Sequence, residues 1–154
     1  MNLSEELKQY AKLMPHDELV KAVEMPASIC PEEISAILPS IRFESDGLVL
    51  NSLFLVTPHY LCEVHLAHEA EQQFDYISLG TIMDYRFQLW EHVVESAGDG
   101  DIHYQLARIT LIHGLTPEFT SVLTYAGFDR ESWLHSVIEA LPISLVLHAE
   151  PLVT

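Results

Sequence analysis

Pro58 to Glu71, PHYLCEVHLAHEAE, places three histidines, one cysteine and three glutamates within fourteen residues. These side chains ligate metals or move protons, so the first question is which of them can share one site. Read as a strand, Tyr60, Cys62, Val64 and Leu66 face one way, and His59, Leu61, Glu63 and His65 the other. His59 and His65 are then about 20 Å apart at roughly 3.3 Å per residue, too far to hold one ion whose ligands all lie near 2 Å. Glu63, His65 and His68 remain as a candidate set, and with them a metal-dependent hydrolase. The run H-x-x-H-E shares only letters with the helical H-E-x-x-H zinc motif, in which two histidines four apart occupy one helix face. The strand reading is therefore preferred. Under it no catalytic, cofactor-binding or metal-ligating residue is expected, and the histidines are solvated strand-end groups.

Other chemical signatures are weaker. GDGD (Gly98–Asp101) lacks the D-x-D-x-D-G spacing and distant glutamate of a calcium loop, and reads as a turn. There is no G-x-S-x-G, no phosphate-cradling glycine loop and no dinucleotide fingerprint. His92, His103, His113, His135 and His148 are dispersed and expected at surfaces or interfaces. Cys30 and Cys62 make no disulfide framework, and Cys62, among alternating apolar residues, is expected to be a small buried hydrophobe.

The elements that must position these residues follow from periodicity. SEELKQYAKLM offers Ser4 as N-cap and Leu7, Tyr10, Ala11 and Met14 on one face, stopped by Pro15. A second helix is expected from Asp17, as cap, to Pro26. A third is expected in PEEISAILP, from Pro31 to Pro39. From Ser40 the period becomes two. SIRFE, LVLNSLFLVT, HYLCEVHL, FDYISL, IMDYRFQLW, IHYQLARITLIHG and EFTSVLTYAG read as seven strands, the second covered on both faces. In IMDYRFQLW, Met83, Tyr85, Phe87 and Leu89 are expected on the buried face. Asp129 caps a last helix, with Phe128 stapled to Trp133 and a stripe of Trp133, Leu134, Val137, Ile138 and Leu141. The tail ISLVLHAE is expected to be a final strand or a subunit contact.

The totals bound the class. A chain of 154 residues fits one domain and buries roughly 70% of its unfolded surface. Apolar runs stop near ten residues, short of the roughly twenty that span a bilayer, and the N-terminus has no secretory pattern. A cytoplasmic location is expected. Twenty-three acids against seven scattered bases give a net charge of −16, a field that repels nucleic acid and anionic headgroups and favours basic partners. Nine histidines make that charge shrink as pH falls from about 7.5 to about 5.5.

Seven short strands followed by one amphipathic helix resemble the pleckstrin-homology-like domain, including its bacterial and GRAM-type relatives. LFLVTPHYLCEV resembles the family's strand–turn–strand, FDYISLGTIMDYRF the step into its next strand, and DRESWLHSVIEAL its closing helix. The resemblance implies an α+β fold: an antiparallel, seven-stranded, partly open barrel closed by a C-terminal helix. Residues 1–39 would form a helical segment packed on it, and residues 40–154 the barrel domain with helix and tail. It implies binding rather than catalysis. The loops ESDG and TPHY hold no Lys or Arg, so phosphoinositide binding is not expected. The expected function is a non-enzymatic protein-interaction module whose partner is a basic protein or a second copy of the chain. An acidic inhibitor of the immunity-protein type is the alternative within that class.

Overall fold

The computed structural model describes residues 1–45, 47–66, 73–95, 98, 100–114 and 120–141. Among them are α1 (Leu3–Leu7), a 3-10 turn (Lys8–Tyr10) and α2 (His16–Ile29). Four strands follow: β1 (Ala36–Glu44), β2 (Gly47–Val56), β3 (Tyr60–His65) and β4 (Gln73–Ser78). After a second 3-10 turn (Leu79–Thr81) come β5 (Ile82–Val94), β6 (Ile102–His113), β7 (Thr120–Gly127) and α3 (Arg130–Ala140). The chain is α+β, with two antiparallel sheets ordered β1-β2-β3-β4 and β5-β6-β7. No helix among the described residues is long and apolar enough to cross a membrane.

β2 is apolar on both faces because both are covered. On one side Leu53, Leu55, Cys62 and Val64 pack with Leu7, Leu19 and Val23 of the N-terminal helices. On the other, Phe54, Val56 and Leu61 meet Ala107, Ile109, Leu111 and Leu123 of the second sheet. Trp133 and Val137 of α3 complete this inner core. A bulge adjusts the pattern: Ser40 lies opposite Ser52 but Ile41 opposite Leu50, which leaves Asn51 extra. Leu50 and Leu53, three residues apart, thereby reach the same core.

The sheets meet where β1 runs beside β7, joined by side chains. The buried Ser40 Oγ accepts from the Thr124 N–H at 2.9 Å and lies 3.1 Å from its hydroxyl.

Several expectations are corrected. The third helix does not form: Ala36–Glu44 is strand β1. Pro39 is tolerated there because β1 is the terminal strand of its sheet, where a missing N–H need not break a ladder. The second helix does not stop at Pro26, which is buried inside α2, and the residue before that helix is Pro15 rather than an Asp17 cap. Asn2, not Ser4, caps α1 by accepting from the Glu5 N–H. Met83 is not on the buried face of β5. A register shift between Ile82 and Asp84 turns it outward, 60% exposed. Phe128 does not staple to Trp133: it stacks on Tyr104, while Trp133 packs on Tyr125. Asp129 does cap α3, accepting from the Ser132 N–H. His68 and the tail from Pro142 lie outside the described residues.

Candidate functional site

Alternation along β3 builds the site. Leu61 points into the inner core, so Glu63 and His65, two and four residues on, point the same way. In the ladders Asp75 of β4 lies directly opposite Glu63, and Ser52 of β2 opposite His65. Four polar side chains thus share the face that carries apolar residues elsewhere. His65 Nε2 is 2.9 Å from Asp75 Oδ2, and its Nδ1 is 3.8 Å from Glu63 Oε2. One imidazole therefore stands between two carboxylates. The buried Ser52 hydroxyl donates to Glu63 Oε2 at 3.1 Å and accepts from Asn51 Nδ2 at 3.4 Å. Burial pushes the Glu63 carboxyl above its usual range, against the lowering effect of His65 and Ser52.

Opposite this cluster the second sheet contributes His113 and Ser121. His113 Nε2 is 2.9 Å from the buried Ser121 hydroxyl, and its Nδ1 is 3.5 Å from Thr81 Oγ1. Burial lowers the His113 pKa, favouring the neutral ring. A cleft of about 710 Å³ separates the two groups, and no Lys or Arg is among the described residues that line it.

Of the sequence candidates, Glu63 and His65 are brought together, and Asp75 joins them. His59 is elsewhere, as the 20 Å separation required. Its Nδ1 is 2.6 Å from Glu32 Oε2 at the β2–β3 turn, and its N–H donates to Glu32 Oε1. The one signal for Asp75 was its place between Phe74 and Tyr76 in the strand FDYISL, on the face opposite those aromatics. Its partner could not be read, because that depends on a cross-strand register.

A second feature lies on the other sheet. β5 pairs with β6 along one side, and no described strand pairs with its other side. Met83 and Val93 are exposed along it. The Arg108 guanidinium covers the Trp90 ring at 5.3 Å. From β5 a run of rings continues across the sheets. His92 lies 4.9 Å from Phe43, Phe43 4.8 Å from Tyr104, and Tyr104 5.0 Å from Phe128, which is 62% exposed.

No protein-family model, no curated protein and no solved structure matches the chain.

Proposed function

We propose that the chain is a non-enzymatic interaction module of pleckstrin-homology-like architecture that takes up an extended segment of a basic protein along the edge of β5 that no described strand covers. The architectural part is supported by the four- and three-stranded antiparallel sheets and by α3 packed on the inner core they share. The functional part is carried by the edge itself. β5 is thirteen residues long, and its outer side has no described partner. A long strand with an open row of N–H and C=O groups is a template for another strand. Main-chain bonds would supply affinity, and Met83 and Val93 would offer apolar contact to alternate side chains of the incoming segment. The charge of −16 selects the sign of the partner. Steered encounter with a basic chain raises its on-rate and makes that rate fall with salt.

Capture from native lysate tests this reading. The wild-type chain is expected to recover a basic protein at low ionic strength and to release it as salt rises. A Met83→Lys/Val93→Lys variant, altered only at exposed side chains, is expected to capture less. Recovery of no basic protein at low salt, or undiminished capture by the double variant, contradicts it.

A further inference from the structure

We propose that Glu63, His65 and Asp75 form a binding site for one first-row divalent transition-metal ion of the zinc class. The site is independent of the β5 edge and requires no hydrolytic activity. One ligand-type atom from each of the three residues lies within 4.8 Å of the others. Ligands about 2.0–2.1 Å from a tetrahedral ion sit about 3.4 Å apart. The 2.9 and 3.8 Å contacts of His65 use different ring nitrogens, Nε2 toward Asp75 and Nδ1 toward Glu63, and an ion takes only one of them. The set must therefore draw in from separations of up to 4.8 Å, and the second nitrogen gives up its carboxylate contact to the ion.

The backbone holds the set in advance. Glu63 and His65 are two apart on β3, and Asp75 is opposite Glu63 in the β3–β4 ladder. The three Cα positions are thus fixed by hydrogen-bonded strands rather than by a loop. Ser52 donates to Glu63 Oε2, the oxygen that faces His65, and so helps to orient that carboxylate, the role an outer-shell partner plays at metal sites. The cleft in front has room for water to complete the coordination.

Charge supplies the driving force. Two carboxylates directly across an antiparallel pair repel. No Lys or Arg is among the described residues lining this cleft, and the His65 imidazole between them is the group that offsets the repulsion. A dication reverses the sign of that interaction. The imidazole selects among dications, since nitrogen ligands suit zinc and its neighbours, whereas all-oxygen sites suit magnesium and calcium.

Calorimetric titration of the full chain with zinc chloride at neutral pH tests the assignment. The wild type is expected to bind one equivalent saturably. Asp75→Asn and His65→Ala are each expected to weaken binding at least tenfold. Asp75 is half exposed, so its variant keeps the test informative even where another substitution disturbs folding. His59→Ala, at the distant β2–β3 turn, controls for weak binding by surface histidines and is expected to leave the affinity unchanged. Magnesium and calcium are expected to bind at least tenfold more weakly than zinc. The proposal is overturned by a wild type that shows no saturable zinc binding, or by binding that survives both Asp75→Asn and His65→Ala. Equal loss in His59→Ala, or magnesium binding as tight as zinc, overturns it as well.

Discussion

Glu32 fixes the β2–β3 turn through one carboxylate. It accepts from Thr57 Oγ1 at 2.9 Å and from the His59 N–H at 3.0 Å, and it meets His59 Nδ1 at 2.6 Å. These bonds, the His59 side chain's first, hold the Glu32 carboxyl below its usual value of 4.5. A depressed carboxyl pKa stabilises the fold above the unfolded value and loses that contribution as pH falls through the folded one. Glu32→Gln is therefore expected to lower the thermal midpoint at pH 6 to 7. The gap from wild type should narrow below about pH 4.5 and close at lower pH, as calorimetric scans across that range would record. Ser40 is the second single residue on which much depends. Ser40→Ala leaves the Thr124 N–H without its acceptor at the junction of the sheets. It is expected to cost about 1–2 kcal/mol in urea unfolding. Glu63 and His65 were legible in the sequence because strand alternation alone puts them on one face. Asp75 was not, because its place opposite Glu63 is set by the β3–β4 register, which periodicity along one strand does not fix.

At the scale of elements, α3 closes the inner core with few residues. Trp133 is buried against Leu38 and Tyr125, and its indole N–H donates to the Pro39 carbonyl at 2.8 Å. Trp133→Ala is expected to destabilise by about 3–5 kcal/mol, the usual cost of emptying a large aromatic site. Trp133→Phe retains most of the packing and loses the hydrogen bond, so about 1–2 kcal/mol is expected. Denaturant midpoints of the two variants, compared at equal slope, separate the contributions. The stripe and cap of α3 could be read from periodicity, because both signals lie within one turn of the residues that carry them. The staple could not, since Phe128 finds its stacking partner on β6, more than twenty positions earlier in the chain. β1 was misread for a related reason. Pro31, the acids after it and Pro39 mimic the punctuation of a helix, while the Pro39 carbonyl serves Trp133 and its segment pairs with β2. Tertiary pairing outweighs local propensity there.

For the molecule as a whole, an acidic chain carries a long strand, β5, whose outer edge no described strand covers. Net charge was legible from composition, and the run of strands from hydrophobic period. Which strand would be left unpaired was not, because that is a property of sheet order. The charge predicts an association rate with the captured basic protein that falls steeply between low and physiological salt, read by stopped-flow mixing. A rate insensitive to salt would remove steering from the account. Hydrogen exchange along Ile82–Val94, with and without that partner, tests strand addition most directly. Pairing at the outer edge predicts new protection at alternate β5 amides, while amides already bonded to β6 change little. Unchanged β5 amides in the complex, with the new protection falling on other elements, would contradict the β5 edge as the binding surface.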